Sequence, residues 1–457
     1  MFRRILIANR GEIAVRIIRA CRELNIETVA VYSTADVDAL HVNLATMAVC
    51  VGPAKAADSY LNMKNILTAA LETGCEAIHP GFGFLSENSD FARLCEKAGI
   101  KFIGPKADVI DALGNKASAK KLVRSVDVPV VPGSKGAIRD ATELQNLAKE
   151  IGYPLLLKAS AGGGGRGMRR VFKEEELLPC FEEAKAEARA CFGNDEMYVE
   201  KLILNPRHVE FQILADEFGN VIHLGERDCS LQRKNQKLIE ESPCMVIDGK
   251  LRERMGEDAV KVAKAAGYTN AGTVEYVLDQ EGNYYFIEMN TRIQVEHGVT
   301  EMVTGLDLIK EQLRIAFHQP LKLRQEEVKL SGHAIECRIN AEDPAVGFLP
   351  NTGRVDFLNV PGGPGVRVDT ALYQGYTPSP FYDSMLAKIV VHAPTRLDAI
   401  RKMRRALEEL VIEGITTTAD FDYLLMHHPA YIKGRADVGF IEANMQEIIE
   451  WDRDCDE

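Results

Sequence analysis

Residues 286–297 read FIEMNTRIQVEH, with Glu288, Asn290, Arg292, Gln294 and Glu296 at alternate positions and Ile287, Met289, Thr291, Ile293 and Val295 between them. Side chains of an extended chain alternate faces, so a strand here would put all of these polar groups on one side. An ordinary amphipathic edge strand would tolerate any polar mixture on its solvated face. Carboxylates, an amide and a guanidinium in one row suit another task, holding metal ions and a small oxyanion side by side. On a straight strand Glu288 and Glu296 would stand ~26 Å apart at ~3.3 Å per residue, too far to share an ion. The chain must bend or divide the labour, with Arg292, Gln294 and Glu296 forming a second cluster in which a carboxylate is available as a base.

Just upstream, AGTVEYVL carries Glu275, turns at 279–283 and returns as YYFIEMN. An antiparallel hairpin would set Glu275 within a residue or two of Glu288, where facing positions are ~5 Å apart. Two carboxylates that close repel unless a cation intervenes or one of them is protonated. The all-oxygen set of Glu275, Glu288 and Asn290 favours a hard ion, Mg2+ or Mn2+, over zinc.

The opening residues predict a β-α-β unit and hence a parallel sheet: a strand at 3–8, a helix at 12–24 and a second strand at 27–32. Asn9, Arg10 and Gly11 form a turn at a helix N-terminus, where an anion could sit. The G-x-G-x-x-G dinucleotide fingerprint is missing, which argues against a nicotinamide site. A strand at 77–79 leads into PGFGFLSEN, where Ser86 or Asn88 could cap the next helix. A helical stretch with Lys116, Lys120 and Lys121 ends near 128–133, where prolines and a glycine mark a boundary. The strand 155–157 then opens into Gly162, Gly163, Gly164, Gly165, Arg166 and Gly167. Further strands are expected at 209–215, 221–225, 271–278, 284–290 and 333–340, with a helix at 396–410. The last portion reads as α+β, and the acidic tail EWDRDCDE is expected to fray.

The glycine loop is either a flexible linker or a lid whose N–H groups fold over phosphate oxygens; its place between Lys158 and the cations Arg166 and Arg169 favours the lid. No G-x-x-x-x-G-K-[ST] motif occurs, which argues against a P-loop NTPase. Lys116 and Lys158, in strand-to-loop settings, are candidates for ATP phosphates, and the segment 199–203 for the adenine edge. Lys237, in ERDCSLQRKNQK, and Arg338, on HAIECRIN, are further cations that would by default be solvated charges.

At 457 residues, length alone suggests roughly three domains of ~150 residues. A net charge of −12 argues against nucleic acid as the main partner, since phosphate backbones want a basic surface. No apolar run approaches the ~18 residues of a membrane span, and residues 5–8 are too short for a signal peptide. The ten cysteines include no C-x-x-C pair, which signals neither a disulfide framework nor a zinc site and fits the reducing cytoplasm. His427 and His428 read as helix-end surface residues.

With ILIANRGEIAVRIIRA, HPGFGFLSEN, KASAGGGGRGM, NPRHVEFQ, HLGERDCSLQR, FIEMNTRIQVEH and YDSML in order, the chain closely resembles the biotin carboxylase subunits of biotin-dependent carboxylases, members of the ATP-grasp superfamily. The resemblance runs from residue 3 to about 442. It implies a multidomain α/β and α+β fold: a Rossmann-like N-terminal parallel α/β domain (1–114), an ATP-grasp domain (115–330) with a mobile glycine-rich lid (about 131–203), a C-terminal α+β domain (331–447) and the tail (448–457). It implies that Lys116, Lys158, Gly164, Gly165 and Met168 contact ATP, with Glu200, Lys201 and Ile203 at adenine and His208 and Gln232 near the ribose and phosphates. Glu275 and Glu288, helped by Asn290, would hold two Mg2+ or Mn2+ ions. Bicarbonate would lie among Lys237, Arg292, Gln294 and Val295, with Glu296 as the base. Carbonate would attack the γ-phosphate, and carboxyphosphate would release CO2 beside biotin, whose enolate Arg338 would stabilise. The phosphate left behind would take the N1 proton, giving N1-carboxybiotin.

The chain lacks an A-M-K-M-like biotin attachment sequence and room for a transferase, so the biotin carboxyl carrier protein and carboxyltransferase are expected as separate subunits. The assembly expected is a bacterial acetyl-CoA carboxylase, with pyruvate, 2-oxoglutarate or acyl-CoA carboxylases as alternatives, and another ATP-grasp carboxylate–amine ligase as the competing activity. Family members commonly form homodimers, and Arg19 and Glu23 match positions often found at that interface. Three residues depart from the family pattern: Asn235 for histidine, Gly298 for proline after VEH, and Phe82 for tyrosine.

Overall fold

The run ILIA and its neighbour VAVY are apolar without alternation, as strands covered on both faces should be. They form β1 (Arg4–Ile7) and β2 (Glu27–Ser33), joined by helix α1 (Gly11–Glu23). With β3 (Met47–Gly52), β4 (Ala77–His79) and β5 (Lys101–Phe102) they build a five-stranded sheet of order β3-β2-β1-β4-β5, in which every paired register is parallel. The predicted parallel sheet is therefore present. Asn9, at the turn into α1, donates from Nδ2 to the carbonyls of Pro80 and Phe82, both at 2.7 Å. That turn ties down the loop after β4 rather than presenting a free anion cradle. Asn88, not Ser86, caps the following helix by accepting from the Phe91 N–H.

This computed structural model describes residues 1–159, 168–192 and 195–455. Two compact units emerge: one comprises Met1–Val128, Arg207–Tyr276 and Glu288–Glu457, the other Pro129–Pro206 and Val277–Ile287. Helix α2 (Lys116–Arg124) of the first unit is capped by Asn115, which accepts from the Ser118 N–H. The second unit holds a three-stranded antiparallel sheet of β6 (Leu155–Ala159), β7 (Met168–Val171) and β8 (Met197–Lys201), with β6 in the centre. Helix α3 (Glu174–Phe192) contributes Leu177, Phe181, Ala184 and Ala188 to the core formed with Leu155, Leu157 and Val199.

The largest sheet has eight strands: β9 (Arg207–Ala215), β10 (Val221–Arg233), β11 (Gln236–Ser242), β12 (Asn270–Leu278), β13 (Tyr284–Asn290), β14 (His333–Asn340), β15 (Val366–Thr370) and β16 (Met385–Ala393). Their order is β13-β12-β9-β10-β11-β14-β16-β15, so strands from both sides of residue 330 share one sheet through the β11–β14 ladder. On β14, Ile335, Cys337 and Ile339 face the apolar core that also takes Ile389 and Val391 of β16 and the helix Arg396–Glu409. The alternate positions carry charge: Glu240 faces Glu336, Arg338 faces Lys388, and Lys388 faces Asp369 across successive ladders. Helix α4 (His297–Thr304) packs on β14 and β16, and α1 packs on β15 and β16.

The polar stretch ERDCSLQRKNQK forms the hairpin β10–β11, and its residues 226–232 are all buried. Its turn is Lys234–Asn235, with φ of +48° and +65°, the two-residue geometry that matches strand twist. Asparagine tolerates that left-handed conformation, which accommodates the departure at Asn235. A register shift beside Leu238 lets Leu238 and Ile239 both enter the apolar core and turns Lys237 to the charged side. The departure at Gly298 also has a packing context, because a Cβ there would lie 2.9 Å from Glu336 Oε2. His428 is buried rather than on the surface, its ring 4.9 Å from that of Phe440.

Candidate active site

The polar row at 288–296 is not one strand face. β13 ends at Asn290, the chain bends through 291–295, and Glu296 immediately precedes α4 without capping it through its side chain. The bend has identifiable anchors. Glu87 accepts from the Thr291 N–H at 3.1 Å and from Arg292 Nε at 2.9 Å. Gln294 takes Arg227 Nη2 on its oxygen at 2.9 Å and donates from Nε2 to Glu275 at 2.8 Å. His297 bonds the Gln294 carbonyl through Nδ1 at 2.8 Å. Lys388 donates to the Val295 carbonyl at 2.5 Å. The bend thereby returns Glu296 to the neighbourhood of Glu275, which a straight strand would not allow.

Lys237 is the hub of this arrangement. Its ammonium lies 2.5 Å from Glu296, 2.6 Å from Glu210 and 3.3 Å from Glu275, and its side chain is only 13 % exposed. Burial would lower its pKa, but the surrounding acids hold it well above the usual lysine value. Arg338 spans Glu240, from Nε at 2.7 Å, and Glu296, from Nη2 at 3.0 Å. Neither cation is the solvated charge that is the default for such residues. Burial would raise the Glu296 carboxyl; Lys237, Arg338 and Arg227 instead hold it well below the carboxylate range, so it is ionised at neutral pH. Glu240, farther into the sheet, is pushed up to about 6 by burial against the pull of Arg338.

Glu275 accepts from Asn290 Nδ2 at 2.8 Å and its Oε2 lies 2.9 Å from His208 Nε2, and against burial Lys237 and His208 keep it far below the usual value. His208 also meets Gln232 Nε2 at 3.3 Å. Glu288 stands apart from this cage, 37 % exposed, with Lys116 Nζ 3.4 Å away. Arg292 reaches Asn290 Oδ1 at 3.1 Å. Two sets of described residues cluster tightly enough to share a metal, His208–Glu210–Glu275 and Glu210–Cys229–Glu296, but Lys237 bridges their carboxylates from within. Glu275 is ionised and tied through Oε1 to Asn290, while Glu288 lies open beside Lys116; carboxylate and amide oxygens of this kind are the donor chemistry that suits a hard divalent ion.

In the second unit Lys158 Nζ lies 2.6 Å from Glu200, and Lys201 Nζ donates to the carbonyls of Gly152 and Tyr153. Met168 faces Lys158 across the β6–β7 ladder, and Ile203 follows β8, half-buried. Gly164 and Gly165, with Arg166, lie outside the described residues.

A cavity of about 390 Å3 in the first unit is lined by Phe82, Gly83, Phe84, Lys237, Val295 and Arg338, among others. It is large enough for a small organic ligand. Sequence reasoning missed Glu210, Arg227, Glu240 and Glu87. Arg227 is wholly buried, bonding Glu210, Gln212, Thr273, Thr300 and Gln294. The usable signal was period two: His208, Glu210 and Gln212 alternate along β9 as the polar residues of FIEMN do along β13.

Among the described residues no helix is long and apolar enough to cross a membrane, and the cysteines whose side chains are described are free. Residues 1–110 match the family profile described as "Biotin carboxylase, N-terminal domain", 115–324 that of "Carbamoyl-phosphate synthase L chain, ATP binding domain", and 336–443 that of "Biotin carboxylase C-terminal domain". The chain is 56 % identical to biotin carboxylase 1 of Bacillus subtilis, over 97 % of this chain and 98 % of that one. It is 51 % identical to the 2-oxoglutarate carboxylase small subunit of Hydrogenobacter thermophilus, over 97 % and 93 %. The biotin carboxylase domain dimer of the 2-oxoglutarate carboxylase from that organism, solved with MgADP, ADP and bicarbonate, superposes with a TM-score of 0.89 at 51 % identity, covering 98 % of this chain and 99 % of that one. Sequence motifs, fold and relatives therefore agree that the chain belongs to the biotin carboxylase family of ATP-dependent ligases.

Proposed function

We propose that the chain carboxylates biotin on a separate carrier protein, using ATP and bicarbonate, as the first half-reaction of an acetyl-CoA carboxylase. The observation that carries the reading is the Lys237–Glu296–Arg338 triad, a buried carboxylate held between two cations, with both cations also lining the 390 Å3 cavity. In this reading bicarbonate binds among Lys237, Arg292, Gln294 and the Val295 backbone. An anion there competes for the cations that hold Glu296 down, so the proton affinity of Glu296 rises as substrate arrives and it takes the bicarbonate proton. Arg338, between Glu240 and Glu296, is oriented to stabilise the biotin enolate.

Lys116, Lys158, Gly164, Gly165, Met168, Glu200, Lys201, Ile203, His208 and Gln232 are assigned to the nucleotide. Glu275, Glu288 and Asn290 would hold Mg2+ or Mn2+, which when bound draws charge from the nucleotide phosphates. The division into 1–114, 115–330, 331–447 and a tail belongs to the same reading. So do cytoplasmic residence, a homodimer using Arg19 and Glu23, and carrier and carboxyltransferase partners. Relatives at similar identity are named for pyruvate and 2-oxoglutarate carboxylases, which keeps those acceptors as the second reading.

The test is ADP release by the purified chain. It should require bicarbonate and rise with free biotin; release stimulated by an amine and indifferent to biotin would instead identify a carboxylate–amine ligase. Identifying the carboxyltransferase that co-purifies with the chain decides the acceptor.

A further inference from the structure

Behind the Glu296 bend lies a charged layer that the reaction scheme leaves unused. Lys388, on β16, is wholly buried. Its Nζ lies 2.5 Å from the Val295 carbonyl oxygen and 3.5 Å from Glu12 Oε1 on α1. Across the ladders it faces Arg338 on one side and Asp369 on the other. Asp369 is already bonded by Arg367, from Nη2 at 2.7 Å. Neither carboxylate oxygen of Glu336, the next charged residue on β14, meets a hydrogen-bond partner. A buried ammonium is a poor way to stabilise a sheet, because desolvation offsets most of the ion-pair attraction and an apolar side chain of equal volume does as well or better. Its placement calls for another account.

We propose that Lys388 is a positioning residue: its ammonium fixes the peptide joining Val295 to Glu296, and so sets the direction in which that backbone and the Glu296 carboxylate face a bound oxyanion. The inference rests on reading 292–296 as the bicarbonate site. Residues 291–295 lie in no helix or strand, so their conformation depends on side-chain anchors of this kind. The surrounding charges fit the role. Burial lifts Glu12 to about 7 and Glu336 well above the carboxylate range, and Asp369 is engaged by Arg367, which leaves the Val295 carbonyl as the close acceptor for the ammonium.

The test uses the full-length protein and measures bicarbonate-dependent ADP release with free biotin, together with ATP binding by calorimetry and a thermal melt. Lys388→Met keeps the length of the side chain and removes the charge. Loss of a charge-assisted hydrogen bond predicts a rise of about ten- to a hundredfold in the bicarbonate KM, with ATP affinity within about twofold of wild type. Lys388→Arg, which can still donate to Val295, should recover a large part of that loss. Glu336→Gln, isosteric with a protonated carboxyl, should leave the bicarbonate KM near wild type, and it carries the test if Lys388→Met does not fold. An unchanged bicarbonate KM in folded Lys388→Met, or an equal rise in Glu336→Gln, would overturn the proposal and assign Lys388 to the charge balance of the layer. If the wild-type chain itself shows no bicarbonate-dependent turnover, the functional reading falls and the proposal with it.

Discussion

Glu296→Gln is the sharpest perturbation of the proposed chemistry, because it removes a charge and changes almost no volume. In the wild type, Oε1 accepts from Lys237 at 2.5 Å and Oε2 from Arg338 at 3.0 Å. A glutamine can accept from only one of these cations and must aim its NH2 at the other, so one bond is lost and no base remains. Lys237 keeps Glu210 and Glu275, and Arg338 keeps Glu240, so neither cation is left alone and the fold should survive. Removing a positioned base lowers turnover by ~10²–10⁴, on the order of 3–5 kcal/mol of transition-state stabilisation. The assay is steady-state ADP release at saturating ATP, bicarbonate and biotin, with ATP affinity measured by calorimetry as the control. Wild-type turnover in folded Glu296→Gln would remove Glu296 from the reaction. A parallel loss of ATP affinity would mean that the residue supports the nucleotide site instead.

Lys158→Ala should weaken ATP binding about ten- to a hundredfold, the worth of a charge-assisted contact, and calorimetry giving wild-type affinity would contradict that assignment. Arg227→Met strands the wholly buried Glu210 beside one remaining cation and unties Gln294, so urea unfolding should register a loss of about 3–5 kcal/mol. Glu241 is held down to about 2 despite burial, by His333 and Arg396, against an unperturbed 4.5. Because the depressed value favours the ionised form in the folded state, its stabilising share, on the order of 3 kcal/mol, is full above pH 4.5 and is lost as pH falls toward 2. Glu241→Gln should therefore be less stable than wild type at pH 7, with the gap narrowing as pH falls below 4.5; a gap constant from pH 7 to 3.5 would refute the linkage.

Much of the fold was legible because apolar runs and turn residues act locally. The strand at 77–79 and that at 333–340 are where the sequence puts them. A bend before Glu296 was one of two alternatives that the strand length left open; what the sequence did not show was how it is held, since its anchors Glu87, Arg227 and Lys388 are each far away in the chain. Lys237 was hard to read for a related reason. A single register shift beside Leu238 decides which side it takes, and no pattern within QKLIEES announces it. Arg338 was readable in principle: Glu336, Arg338 and Asn340 alternate with Ile335, Cys337 and Ile339, the same period that singled out residues 286–297.

The contrast between the two sides of β14 and β16 has a consequence for assembly of the chain. Sliding either strand by one residue would thrust Arg338 and Lys388 among Ile389, Met403 and Leu425 while stranding isoleucines against Glu240 and Asp369. Misaligned pairings are thus penalised by ion desolvation as well as by lost apolar contact, and a misthreaded sheet has no comfortable minimum in which to rest. The ionic layer that prepares the chemistry also acts as a proofreader of the strand alignment on which that chemistry stands.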